Sequence, residues 1–248
     1  MEEVLKHKTA SGETICYSVT SGLRPTVVWL GGFRSDMNGS KAQFVDKWAR
    51  ENGRSFIRFD YFGHGQSSGN FKDGTISKWL EDALEVIDHL TSGSLVLLGS
   101  SMGGWLALLA ALARPDRVQS LVLIAPAADF TQKLMWDKFD QKVQDEITQQ
   151  GHWMQPSPYG EVPITKSLIE DGKKHLLLGE AISFAGPVRI LQGQLDQDVP
   201  WQHAMKLVAK LQSTDVVFSL VKDGDHSLSA ESDLSRLQSV LQELTETV

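Results

Sequence analysis

With 248 residues, 41% of them hydrophobic and 22% charged, the chain is long enough to bury a full core as one domain with an insertion. Its formal net charge of -7 argues against a nucleic-acid or other polyanionic partner, because nothing in that balance neutralises a run of phosphates. Cys16 is the single cysteine, so an internal disulfide and a cysteine-built metal cluster are both excluded, which fits a reducing compartment.

The opening MEEVLKHK is acidic and has no apolar targeting core, and no later run reaches membrane-spanning length. A soluble cytoplasmic protein is expected, or a mitochondrial matrix protein whose targeting segment has been removed. Apolar runs then alternate with helical periodicity. Strands are predicted at 13–19, with antiparallel neighbours, and at 26–30, 55–59, 94–99, 121–125, 188–192 and 216–221. Between them, Asn52-Gly53 stops one helix; Ile76, Trp79, Leu80, Ala83, Leu84, Ile87 and Leu90 trace the buried face of another. A wholly apolar helix runs from Met102 until Arg114-Pro115 stops it, Pro200 opens a helix over 201–211, and Leu234, Leu237, Val240, Leu241 and Leu244 mark a last helical face. This order predicts an α/β fold: a mostly parallel central sheet with helices on both faces.

One interval breaks the alternation. Residues 126–187 show several helical stretches and no convincing strand, and they carry Phe130, Met135, Trp136, Trp153, Met154 and Phe184 amid charges. An excursion of this length between two strands, leaving from a strand's C-terminal end, covers the rim where open α/β sheets bind ligands. A helical lid insertion at about 127–186 is expected. Its stretches are too weakly amphipathic to predict a core of their own, and Trp136 and Trp153 are expected to wall a substrate's apolar part.

Chemistry enters at Gly99-Ser100-Ser101-Met102-Gly103, a G-x-S-x-G turn between a buried strand and an apolar helix. There a strained turn lifts one hydroxyl above the sheet, which makes Ser101 the candidate nucleophile. A serine needs a base, and the base needs a carboxylate to orient it. Of seven histidines, His7, His64 and His89 precede the serine, His152 and His175 fall in the insertion, and His203 lies in a helix's first turn. His226 follows the last strand on a glycine-containing loop at the expected rim and is the candidate base. Asp196 and Asp198 both follow the strand at 188–192. Asp198, just before a helix, has a structural explanation as a helix-end carboxylate, so position favours Asp196.

These motifs resemble the α/β-hydrolases. The elbow with Gly104-Trp105, the loop from Gly31 to Ala42, the turn Arg58-Phe59-Asp60-Tyr61-Phe62-Gly63-His64-Gly65-Gln66-Ser67 and the pair Asp196 with Val199-Pro200-Trp201 carry the likeness. More narrowly, Gly39-Ser40-Lys41-Ala42, Gly103-Gly104-Trp105, Gly151-His152-Trp153 and Pro156-Ser157-Pro158-Tyr159 resemble the subfamily of mitochondrial palmitoyl-protein thioesterases and acyl-glucuronide deacylases and its bacterial relatives. The resemblance implies an α/β-hydrolase fold and a triad of Ser101, Asp196 and His226. It also implies an oxyanion hole from the backbone N–H groups of Phe33 and Met102. Leu30 stands where the family's oxyanion loop commonly begins with histidine, so that loop's usual support is missing.

The implied activity is acyl transfer from an ester or thioester to water through an acyl-serine, with no metal or organic cofactor, on small-molecule or acylated-protein substrates. A carbon–carbon or lipid hydrolase with the same triad, and a catalytically silent binding module, are the alternatives. Arg34, next to Phe33, is a candidate for favouring anionic leaving groups, against the plainer reading of an ion pair with Asp36 or Asp129.

Overall fold

The computed structural model describes residues 4–157 and 160–246; residues 1–3 of the acidic start and Pro158 and Tyr159 of the insertion motif lie outside them. The strands are β1 (Leu5–Lys8), β2 (Thr14–Thr20), β3 (Leu23–Leu30), β4 (Arg54–Phe59), β5 (Leu95–Ser100), β6 (Val118–Ile124), β7 (His152–Gln155), β8 (Val162–Thr165), β9 (Val188–Gly193) and β10 (Val216–Val221). The helices are α1 (Ser40–Glu51), α2 (Ile76–Glu85), α3 (Met102–Ala113), α4 (Gln141–Gln150), α5 (Lys166–Gly172), α6 (Trp201–Val208) and α7 (Glu231–Glu246). An eight-stranded sheet has the order β1-β2-β4-β3-β5-β6-β9-β10. From β4 to β10 neighbouring strands are parallel; β2 is antiparallel to both β1 and β4.

Side-chain alternation divides this sheet between two cores. Val28 and Leu30 of β3, Leu95 and Leu97 of β5 and Leu121 and Leu123 of β6 join α2 and α3 on one face. Val27, Trp29, Val96, Leu98, Val122 and Ile124 join α1 and α7 on the other. Central strands apolar on both faces read as continuous hydrophobic runs, as β5 does. The chain crosses from β3 to β4 on one side and returns to place β5 on the other. The loops after β3 and β5 therefore open side by side at the sheet's C-terminal rim, where such reversals leave a crevice.

The predicted helix over 76–90 is α-helical only to Glu85 and continues as a π-helical turn, Val86–Leu90, that keeps Val86 and Ile87 buried. Thr75 caps α2, its Oγ1 accepting from the Lys78 N–H at 3.2 Å. On the same helix, Asp82 is buried and accepts the Phe62 N–H at 2.7 Å. Burial pushes its carboxyl up to about 6. Because folding raises this pKa, the stability Asp82 contributes is complete below its unfolded pKa and is lost as pH rises through about 6. Asp82→Asn removes that loss. Its unfolding free energy is expected to gain on wild type by on the order of 2–3 kcal/mol between pH 4 and pH 8. Urea titrations across that range would show no such trend if the carboxyl ionised as it does unfolded.

The insertion between β6 and β9 differs from the expectation of a strandless segment without its own core. β7 and β8 form an antiparallel hairpin, with His152 opposite Thr165 and Met154 opposite Pro163. Pro163 reads as a strand breaker, but a two-stranded sheet has only edges, where proline is tolerated. Ile147, Val162, Ile164 and Ile169 make a small core, with Trp136, Phe139, Val143 and Trp153 packed against it. Each stretch is too short for its periodicity to register, so the core emerges only when four elements meet. Two polar ties hold this segment, one joining its two ends and one fastening it to the body. The buried Asp129 carboxylate near its start accepts the N–H groups of Leu177 and Leu178 near its end at 2.8 and 2.9 Å. Asp171 of α5 accepts from the Ser77 N–H and hydroxyl of α2 at 2.7 and 2.8 Å.

Candidate active site

Ser101 stands between β5 and α3 with φ 54 and ψ -118, a conformation that non-glycine residues hold only when their surroundings enforce it. Two glycines make the turn geometrically feasible. A Cβ at Gly99 would lie 2.3 Å from the Gly103 carbonyl oxygen, and a Cβ at Gly103 would lie 1.9 Å from the Leu30 carbonyl oxygen. The spacing of the motif therefore has a steric cause. Ser101 N–H donates to the Ile124 carbonyl at 2.9 Å, and the Ser101 carbonyl accepts from Ala127 N–H at 3.0 Å, fixing the turn to the end of β6.

Three residues distant in sequence meet at this point. His226 Nε2 lies 3.1 Å from Ser101 Oγ, and His226 Nδ1 lies 2.8 Å from Asp196 Oδ2. Asp196 is buried, and all of its acceptor capacity is in use. Its Oδ2 also accepts from Gln192 Nε2 at 3.0 Å, while its Oδ1 accepts the N–H groups of Asp198 and Val199 at 2.9 and 2.8 Å. With Nδ1–H donating to the carboxylate, Nε2 is left to accept the serine proton. Asp198 differs from its expected role as a helix-end carboxylate. The N-cap of α6 is Pro200, no side chain caps it, and the exposed Asp198 carboxylate has no hydrogen bond among the described residues. Asp196 takes the turn-capping work instead.

Phe33 and Met102, the expected oxyanion donors, both border the cavity that Ser101 opens into, and neither backbone N–H has an acceptor among the described residues. Sequence reasoning left the loop after β3 without a support, because Leu30 replaces the customary histidine. The structure supplies one from elsewhere. His64 Nε2 accepts the Arg34 N–H at 3.2 Å, and His64 Nδ1 pairs with the Phe62 carbonyl at 3.1 Å. Burial lowers the His64 pKa, which keeps Nε2 free of a proton and able to accept. Asp60 adds a second brace, accepting the Met37 and Gln66 N–H groups at 2.7 and 2.8 Å. The Gly63-His64-Gly65 turn is visible in the sequence; that it reaches across to Arg34 is not.

Other expected site residues are placed differently. The chamber at Ser101, about 330 Å³, has an apolar wall of Phe33, Met102, Phe130, Leu134 and Met135 and a polar one that includes Gln155 and Asp198. Trp136 and Trp153 do not border it. Trp136 packs in the small core of the insertion with the Lys173 ammonium over its ring, and Trp153 meets Phe139 edge-on at 5.3 Å. Their large apolar area goes into holding the insertion together, and the chamber wall comes from a π-helical turn, Thr131–Met135. Arg34 adopts φ 62 and is exposed; among the described residues it pairs with neither Asp36 nor Asp129, and it lines neither the chamber of Phe130 and Met135 nor the cavity of Trp29 and Lys41 that Ser101 borders. Lys41 lines a cavity together with Ser101 and donates to the Ser227 carbonyl.

Asp196, Asp198 and His226 each bring a ligand-type atom within 4.8 Å of the others, but two of them already share the hydrogen bond just described. Among the described residues no helix is long and apolar enough to cross a membrane.

Residues 23–166 match the family described as serine aminopeptidase, S33. The mitochondrial palmitoyl-protein thioesterase ABHD10 of Mus musculus is 38% identical over 235 residues, 93% of this chain and 78% of the relative. A putative hydrolase from Agrobacterium vitis S4 superposes with a TM-score of 0.92 at 40% identity, covering 99% of this chain and 98% of that one. The mouse alpha/beta hydrolase domain-containing protein 10 superposes with a TM-score of 0.91 at 36% identity, covering 98% of each.

Proposed function

Since this chain belongs to the serine aminopeptidase S33 family of α/β-hydrolases, alongside the ABHD10 thioesterases, we propose that Ser101, His226 and Asp196 hydrolyse acyl esters and thioesters, with acylated proteins as the substrate class. The hydrogen-bonded line from Ser101 Oγ through the imidazole to the Asp196 carboxylate, 3.1 and then 2.8 Å, carries this reading. Ser101 Oγ attacks the acyl carbon while its proton passes to His226 Nε2, and Asp196 stabilises the resulting imidazolium. The tetrahedral oxyanion is received by the Phe33 and Met102 N–H groups. As the carbon–sulfur or carbon–oxygen bond breaks, Nε2 returns the proton to the leaving atom. Water then attacks the acyl-serine, giving one proton to Nε2, which restores the serine hydroxyl as the carboxylic acid leaves.

The insertion acts as a lid whose Phe130, Leu134 and Met135 receive the acyl chain. The mitochondrial location in the relatives' name fits a matrix enzyme of this class. Fluorophosphonate labelling together with hydrolysis of S-acyl peptides tests the activity, and absence of both would refute it. Leu134→Ala and Met135→Ala test the chamber. Each is expected to raise KM more for octanoyl than for acetyl thioesters, since each buried methylene is worth about 0.8 kcal/mol. Equal effects on both chain lengths would place the acyl group elsewhere.

A further inference from the structure

A separate groove of about 740 Å³ lies where the insertion meets α6. Leu134 borders both it and the chamber at Ser101, while neither Ser101 nor His226 lines it. Its charge runs against that of the chain. Four lysines, Lys133 and Lys138 from the insertion and Lys206 and Lys210 from α6 and the turn after it, meet one carboxylate, Asp137, in a molecule whose formal net charge is -7. Asp137 is already taken by Lys133, at 3.0 Å. Lys138 and Lys206 have no ion pair among the described residues, and Lys210 Nζ reaches only the Gly179 carbonyl, at 3.4 Å. Lys206 and Lys210 stand one helical turn apart, where like charges destabilise each other unless a partner neutralises them.

The groove also supplies an acceptor. His203 is 5% exposed, and its Nε2 lies 2.7 Å from the Ala128 carbonyl, which can only accept. Nε2 therefore carries the proton, and Nδ1 presents a lone pair with no partner among the described residues. Burial lowers the His203 pKa, and Lys206 and Lys138 push the same way against the Ala128 contact and Asp129, so Nδ1 stays unprotonated at neutral pH. Leu134, Leu178 and Ala209 add apolar surface. A partner that suits these groups brings several negative charges, N–H donors and apolar side chains together, and an acidic polypeptide has all three. Inorganic polyphosphate has neither the N–H groups nor the apolar parts, and no arginine lines the groove to grip a phosphate bidentately. We propose that this groove is a docking surface for an acidic segment of another protein, with carboxylates paired to Lys138, Lys206 and Lys210 and a backbone N–H donated to His203 Nδ1. Docking there uses no group of the hydrolytic site.

Fluorescence anisotropy of two labelled peptides tests this on the intact chain, one built of glutamate, leucine and serine and the other with glutamine in place of every glutamate. At low salt the glutamate peptide is expected to bind at least about tenfold tighter, a few-fold from each of three exposed charge pairs, and added salt should shrink the advantage. Combining Lys138→Gln, Lys206→Gln and Lys210→Gln is expected to bring the two peptides level. Combining Lys6→Gln, Lys8→Gln and Lys47→Gln makes the same change of charge on β1 and α1 and should leave the difference in place. Methylating the glutamate peptide's backbone nitrogens is expected to weaken binding severalfold, and unchanged affinity would remove the part given to His203. Thermal unfolding of both triple variants at or above the wild-type midpoint keeps loss of fold out of the comparison. Equal affinity of wild type for the two peptides, or equal losses in the two triple variants, overturns the proposal. Tighter binding of inorganic tripolyphosphate or of phosphatidylserine vesicles through the same lysines overturns it too, in favour of a phosphate or membrane site.

Discussion

Ser101→Ala is expected to reduce kcat by about 10⁴-fold or more and to abolish fluorophosphonate labelling, because members of a nucleophile-base-acid unit fail together. The substitution removes an oxygen without disturbing the turn. The φ of 54 is enforced by backbone hydrogen bonds to Ile124 and Ala127, and these survive in the variant. Thermal unfolding should therefore change little or shift upward. The measurement is turnover of an S-acyl peptide beside intact-mass detection of the probe adduct. Labelling retained at another serine would relocate the nucleophile.

Asp196→Asn should be nearly as severe, on the order of 10⁴-fold in kcat, because the imidazole loses the partner that fixes its tautomer. The structure gives a further reason. Both Asp196 oxygens already accept two hydrogen bonds each, from His226 Nδ1 and Gln192 on one side and from Asp198 and Val199 N–H on the other. An amide NH₂ at either position would face donors, so the variant cannot satisfy both sides. Asp198→Asn touches no hydrogen bond among the described residues and should lose far less. The reverse ranking would assign the acid to Asp198, whose carboxylate belongs to the same 4.8 Å cluster.

The positions of the main-sheet strands from β2 onward and the elbow were legible because each rests on local rules. Alternation in β5 and β6 is a property of consecutive residues, and Gly99 and Gly103 are demanded by contacts of less than 3 Å around Ser101. His226 could be singled out by elimination along the chain. Asp196 could be favoured over Asp198 by position, although the reason offered for Asp198, helix capping, is not what the structure contains. What escaped was decided by tertiary contacts. His64 meets Arg34 across 30 residues, and nothing in either segment announces it. Trp136 and Trp153 were expected at the substrate because large aromatics in an insertion are conspicuous, yet a segment that forms its own core uses them for itself. In the sequence Lys41 is only part of a motif, while Arg34, nearer in sequence to the proposed oxyanion donor, carries the electrostatic expectation.

The missing Cβ of Gly103 has a mechanical consequence. Its α-carbon lies so close to the Leu30 carbonyl that main chain touches main chain, with no side chain as a spacer. The strand end that launches the Phe33 loop and the turn that carries Ser101 are therefore a single rigid part, dimensioned by covalent geometry and not by how neighbouring side chains happen to pack. Under the proposed function, substitutions among Phe130, Leu134 and Met135 would reshape what is held without altering where it is attacked. Adaptation to new acyl chains and preservation of the reaction would then fall to different materials, rotatable side chains for the first and backbone for the second.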